Sequence, residues 1–343
     1  MSDSRVTTNI IAEAGVNHGG SLDVARRLAR AAADAGADAV KIQTFRAERV
    51  ASSDAPKAAY QLKTTDEKES QLDMLRELVF PEEDYPALME FCQELGIEFL
   101  STPYNEEDVD FLVSLGVKRL KLASISIAEP HFIRYAAATG LPLIFSSGMA
   151  MMGEIETAIR VARESGCSDM VVLQCTTNYP SAISDANLRA MGSIREGLQV
   201  RVGYSDHTET NTACIAAVAL GADTIEKHLT LDRSAEGPDH ACSCNPDEFA
   251  ELVKVIRETE IALGSAVKAP TAAERENMEG MRRSLVARRN LSTGSVLTEA
   301  DLTLKRPASG MKPGLIDELV GRVLLRAVDE GEFLAWEHVG GQS

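Results

Sequence analysis

Several ionisable residues of this chain sit inside strongly apolar runs, where a charge has to be accounted for. Lys41 and Gln43 alternate within Ala39-Val40-Lys41-Ile42-Gln43-Thr44, so an extended backbone puts both on one face. Glu13 follows Ile10-Ile11-Ala12, Lys121 interrupts Leu120-Lys121-Leu122, and Glu226 and His228 alternate in Ile225-Glu226-Lys227-His228. Buried charges of this kind are costly unless they are paired or hold something. Ammonium groups beside hydroxyls suit a phosphate or carboxylate, and Lys41, Lys121, Ser124, Ser146 and Ser147 form such a set, with Arg275 further along the chain. Lys121 equally suits the Schiff-base nucleophile of a pyruvate aldolase. Glu13 and Glu226 are carboxylates that can move protons. His207 and His228 close successive apolar segments. They either share one divalent ion with open coordination positions or are hydrogen-bonded separately. His18 and His240 are weaker ligand candidates, and Cys242-Ser243-Cys244 lacks the partners of a metal motif.

These residues need a frame that gathers them. Apolar, β-branched runs over 9–14, 39–45, 98–102, 119–124, 143–147, 170–175, 201–205 and 223–229 predict eight strands. Helical patterns fall between or after them over 22–35, 86–95, 107–115, 130–138, 154–164, 186–196, 211–220 and 246–263. Gly36, Gly96, Gly116, Gly140, Gly166 and Gly221 stand where helix C-termini favour glycine. Eight βα repeats predict a (β/α)8 TIM barrel over 1–265, and no G-x-G-x-x-G follows the first strand to support a doubly wound sheet. The C-terminal ends of barrel strands carry active sites, and all eight segments end in polar residues there. Residues 266–283 lose the rhythm and read as a linker. Short apolar segments separated by Gly and Pro turns over 284–343 predict a small β-rich domain.

The chain has 343 residues, 44% of them hydrophobic and 25% charged, enough apolar material for a large core. The net charge is −17, nearly all on the first 283 residues, which argues against nucleic-acid and membrane partners. Six cysteines without a C-x-x-C pair, and an N-terminus without an apolar signal core, lead to the expectation of a cytoplasmic protein with reduced thiols.

Ile11-Ala12-Glu13-Ala14-Gly15-Val16-Asn17-His18-Gly19-Gly20, Phe99-Leu100-Ser101-Thr102-Pro103 and Ser146-Ser147-Gly148-Met149 resemble stretches of the sialic acid synthase family. So do Gly203-Tyr204-Ser205-Asp206-His207-Thr208, Ile225-Glu226-Lys227-His228 and Glu236-Gly237-Pro238-Asp239-His240. The segment 284–339, with Lys305-Arg306-Pro307, resembles the antifreeze-like (SAF, β-clip) domain those enzymes carry. The resemblance implies condensation of phosphoenolpyruvate with an N-acylated mannosamine-type sugar, releasing phosphate, with Mn²⁺ or Mg²⁺ on His207 and His228. It implies phosphoenolpyruvate contacts from Lys41, Thr102, Lys121, Ser124, Ser146, Ser205 and Arg275. Sugar contacts would come from Glu13, Gln43, Tyr179, Asp239 and Arg306, with Thr177 where several members have Asn. It also implies a domain-swapped homodimer in which Arg306 acts on the partner subunit. Two other readings stand beside it: the Schiff-base aldolase through Lys121, and a non-catalytic carbohydrate- or ice-binding protein.

Overall fold

The computed structural model describes residues 7–58, 61–63, 65 and 69–342. The chain divides into two compact units, the first ending at Gly264 and the second starting at Ser265.

In the first unit eight parallel strands alternate with helices. They are β1 (Asn9–Gly15), β2 (Ala39–Thr44), β3 (Glu98–Pro103), β4 (Leu120–Leu122), β5 (Leu143–Ser146), β6 (Met170–Cys175), β7 (Arg201–Asp206) and β8 (Thr224–His228). The ladder runs β3-β2-β1-β8-β7-β6-β5-β4, and β3 and β4 lie alongside each other at the seam of a nearly closed barrel. Outward positions such as Ile10, Ile42, Phe99, Phe145, Val172 and Ile225 pack under the surrounding helices as one core. Inward, Ile11, Ala39, Leu100, Ile144, Val171 and Leu173 form a separate apolar layer. Two residues further along the same strands, and therefore on the same face, the inward side chains become Glu13, Lys41, Thr102, Ser146 and Cys175. The apolar layer closes the barrel floor and the charged layer rests on it.

The expected eight strands and the helices between them are present. The connection from β2 to β3 differs from the sequence reading. It contains the helices Ala47–Val50 and Gln71–Leu78 ahead of Tyr85–Leu95, and only the last of these carries a clear helical pattern. Gln71–Leu78 is started by Ser70, whose side chain accepts from the Asp73 N–H.

The second unit begins with a correction. The stretch expected as a patternless linker holds the helix Ala272–Met281, opened by a reciprocal capping box between Thr271 and Glu274. None of its side chains is buried, which is why no apolar stripe marks it. Two small antiparallel sheets follow. One pairs β9 (Ser284–Ala287) with β10 (Leu302–Lys305), the other β11 (Arg322–Leu324) with β12 (Val339–Gln342), around a core that includes Leu285, Leu297, Leu319 and Leu334. Among the described residues no helix is long and apolar enough to cross a membrane, and the six cysteines are free and buried.

Gly203 on β7 faces inward opposite Leu173, and a Cβ there would lie 2.2 Å from the Thr224 carbonyl oxygen and 2.5 Å from Leu173 Cδ2. Because the obstacle includes backbone, Gly203→Ala is expected to lower stability by about 1–3 kcal/mol. Urea unfolding of the variant against the parent measures this, and equal midpoints would contradict the layered interior.

Candidate active site

Strand register brings the charged residues side by side. Glu13 is the Cα partner of Lys41 on one side and of His228 on the other, and Ser205 is the partner of Glu226. Lys41 Nζ pairs with Glu13 Oε2 at 2.6 Å, donates to Thr102 Oγ1 at 3.0 Å and stands 3.9 Å from Glu226 Oε2. Across the barrel, Lys121 Nζ donates to Ser146 Oγ at 2.7 Å and to Glu226 Oε1 at 3.3 Å. Ser205 Oγ donates to the same Glu226 oxygen at 3.0 Å. Two carboxylates and two ammonium groups thus form a continuous chain, Glu13 to Lys41 to Glu226 to Lys121, each side chain at most 5% exposed.

Burial acts on all four charges, and the neighbours decide the outcome. Burial raises the Glu13 carboxyl to about 7, against the pull of Lys41. For Glu226 burial also pushes upward, but the Lys121 and Lys41 charges outweigh it and hold the carboxyl at about 2. Burial lowers Lys121. Lys41 is raised, because Glu13 and Glu226 overcome its burial.

The two histidines lie on the neighbouring strand ends, their ring centroids 5.3 Å apart. His207 Nδ1 is 2.6 Å from the Thr176 carbonyl oxygen. A carbonyl only accepts, so Nδ1 carries the hydrogen and Nε2 is left with its lone pair. His228 Nδ1 is buried without a hydrogen-bond partner, and Asp239 Oδ2 stands 3.7 Å from it. Burial holds both imidazoles below their usual range, which favours the neutral, ligand-competent form. These are the features a divalent ion needs from two imidazoles. No group of three or more His, Cys, Asp or Glu suited to a metal occurs among the described residues, so further coordination would come from water or substrate. Tyr179 packs against His207 at a centroid distance of 4.0 Å, and burial raises Asp239 to about 6.

The rim is fitted closely. Ser124 Oγ and Thr177 Oγ1 are 3.3 Å apart. They meet beside Gly148, whose φ of +38° and lack of a Cβ allow the approach, since a Cβ there would lie 2.3 Å from that of Ser124.

Glu13, Lys41, Gln43, Thr102, Lys121, Ser124, Ser146, Thr177, Tyr179, Ser205, His207, Glu226, His228 and Asp239 all line one cavity of about 270 Å³. Arg275 and Arg306 belong to the second unit, where both are exposed and Arg275 donates to the Pro270 carbonyl. His18 packs edge-on against Phe80, and His240 Nδ1 bonds Thr230 Oγ1.

Sequence reasoning missed part of the cavity wall. Tyr104, directly after β3, donates its hydroxyl to Gln43 Oε1 at 2.9 Å. Extending the list of polar strand ends by two residues beyond Thr102 reaches it. Met74, Leu75 and Leu78 of the helix Gln71–Leu78, with Val50, give the cavity an apolar side. Their signal is a few apolar residues at i, i+3 and i+4 spacing over barely two turns, too short to stand out.

A barrel whose mouth holds lysines paired with carboxylates beside two imidazoles fits a class of anion- and metal-binding sites rather than one protein. Comparison with known proteins narrows it. The NeuB family profile matches residues 28–268 and the SAF domain profile residues 282–340, and the chain belongs to the NeuB family. It is 43% identical to the N,N'-diacetyllegionaminic acid synthase of Legionella pneumophila, over 98% of this chain and 96% of that one. It is 41% identical to the synthase of the same name from Campylobacter jejuni, over 95% and 98%. Among solved structures, the N-acetylneuraminic acid (sialic acid) synthetase from Leptospira borgpetersenii, in complex with citrate, superposes with a TM-score of 0.71. That match has 34% identity and covers 80% of this chain and 90% of that one.

The network has a measurable consequence. Lys41→Met leaves Glu13 and Glu226 buried with one cation between them, and a loss of about 3–5 kcal/mol is expected. Glu13 already has a folded-state value raised above its unfolded one, so its protonated form favours folding and stability falls as pH rises through about 7. The loss in Lys41→Met is therefore expected to be smaller at about pH 5 than at about pH 8. Urea unfolding at both pH values checks it, and a pH-independent loss would contradict the assigned partner.

Proposed function

We propose that this protein is a nonulosonate synthase. It would condense phosphoenolpyruvate with 2,4-diacetamido-2,4,6-trideoxymannose and water to give N,N'-diacetyllegionaminate and phosphate. The observation that carries the proposal is the meeting of Lys41, Lys121 and their hydroxyl neighbours with His207 and His228 in one cavity. The choice of sugar over N-acetylmannosamine is supported by the names of the two relatives above. The apolar side formed by Val50, Met74, Leu75 and Leu78 also supports it, since it suits a sugar bearing methyl groups where others bear hydroxyls.

In the chemistry proposed, C3 of the enol phosphate forms a bond to the aldehyde carbon of the open-chain sugar, whose oxygen takes up a proton. A water oxygen adds to C2, and the C2–O bond to phosphate breaks, so that a keto acid and inorganic phosphate result. His207 and His228 would hold a divalent ion, Mn²⁺ or Mg²⁺, supplying Lewis-acid polarisation of the aldehyde. Lys121, Ser146 and Ser124 would hold the phosphate, and Lys41 and Thr102 the carboxylate. Glu226, already bound by Lys121 and Ser205, is a fixed charge that keeps both ammonium groups in place. Glu13 has Lys41 as its ion-pair partner and is the proton-transfer group. Gln43, oriented by Tyr104, together with Thr177, Tyr179 and Asp239, would bind the sugar. Arg275 would add to the phosphoenolpyruvate contacts and Arg306 to the sugar contacts, the latter on the partner subunit of a homodimer.

Phosphate release is expected only when phosphoenolpyruvate, the diacetamido sugar and Mn²⁺ are present together, with the product mass confirming the nine-carbon acid. Equal turnover of N-acetylmannosamine would overturn the sugar assignment. Borohydride with pyruvate is expected to leave Lys121 unmodified, and an adduct there would favour the aldolase. Glu13→Gln is expected to lower kcat by about 10²–10⁴-fold with phosphoenolpyruvate binding retained. For the homodimer, mixing two inactive variants, His207→Ala and Arg306→Ala, is expected to restore activity; no restoration in mixed dimers would contradict action between subunits.

A further inference from the structure

Asp206 and Lys227 are fully buried, with both side chains 0% exposed, and neither reaches the cavity. On their strands they alternate with the inward Ser205 and Glu226, so they point out of the barrel, under the helices. They are Cα partners across β7 and β8, each directly preceding one of the two histidines. Lys227 Nζ uses all three of its hydrogens. It donates to Asp206 Oδ2 at 2.7 Å, to the Thr208 carbonyl at 2.5 Å and to the Thr210 carbonyl at 3.1 Å. Asp206 Oδ1 accepts from the Thr208 N–H at 2.9 Å and from the Tyr204 hydroxyl at 3.1 Å. Its Oδ2 also faces Thr208 Oγ1 at 3.2 Å and Cys214 Sγ at 3.2 Å. The backbone just after His207 and the side chain just before it are thereby tied to the residue that precedes His228.

Stability alone does not call for this arrangement, because well-packed apolar residues commonly replace a buried ion pair without loss. What apolar residues cannot reproduce is three directed bonds from one strand to fixed oxygens around the turn that carries His207. We propose that Asp206 and Lys227 are positioning residues that set the separation and orientation of the His207 and His228 imidazoles for a shared divalent ion. This rests on the metal reading given above.

The test compares Mn²⁺ affinity, measured by electron paramagnetic resonance of the free ion, with phosphoenolpyruvate binding measured calorimetrically without metal. The double variant Asp206→Asn with Lys227→Met removes both charges together and keeps an acceptor for the Thr208 N–H. It is expected to bind Mn²⁺ at least about tenfold more weakly, as loss of groups that orient metal ligands does, while phosphoenolpyruvate binding stays within about twofold of the parent. A merely structural pair would weaken both together, and that outcome overturns the proposal. Should the double variant fail to fold, Thr208→Val decides. It removes only a hydroxyl from the network and is expected to weaken Mn²⁺ several-fold, whereas parental affinity would overturn the proposal. A parent protein that binds no Mn²⁺ would refute the metal reading and this inference with it. Parental affinity in folded variants of a protein that does bind Mn²⁺ would refute this inference alone.

Discussion

The barrel interior must keep four formal charges out of water, and the remaining features of the site follow from how it does so. Each ammonium group of Lys41 and Lys121 faces a carboxylate, and Glu226 lies near both. Taken singly, any of these charges in a low-dielectric interior would be neutralised or would unfold its surroundings. Taken together, they form a polar floor whose positions are fixed by parallel strand register. The cations there are desolvated and oriented before any ligand arrives, the kind of preorganisation that lowers the reorganisation a charged group needs. The apolar layer of Ile11, Leu100, Ile144 and Leu173 beneath excludes water from below and keeps the dielectric low.

Within that floor the two carboxylates are driven in opposite directions. Glu226 sits between both cations and is held ionised, while Glu13 has one close cation and is pushed upward by burial. Environment alone thus separates two chemically identical groups into a fixed charge and a group that exchanges protons near neutrality. The chain's net charge of −17 surrounds a floor in which two ammonium groups are balanced by two carboxylates, so protonation of Glu13 leaves these four groups with a net positive charge.

Much of this was legible in the amino-acid sequence. The eight strands carry long apolar runs, and the change from apolar to charged side chains at two-residue spacing is a direct mark of an interior that turns polar at one end. The residues Lys41, Lys121 and Glu226 were conspicuous because they break those runs. What escaped was held by contacts rather than by pattern. The helices Ala47–Val50 and Gln71–Leu78 are short and take their place from the barrel beneath them. The helix Ala272–Met281 buries no side chain and is announced only by Thr271 and Glu274. The outward ion pair of Asp206 and Lys227 was visible as letters within a motif. Its direction, away from the cavity, becomes plain only once the strands are set in register.

The apolar side of the cavity belongs to the connection between β2 and β3, whereas the charged floor belongs to the strands themselves. The charged floor and the apolar side of the cavity therefore sit on different pieces of chain. Substitutions in a helix of eight residues can reshape that side of the cavity while the charged floor stays in place, a division of labour open to a barrel whose connections vary more freely than its strands.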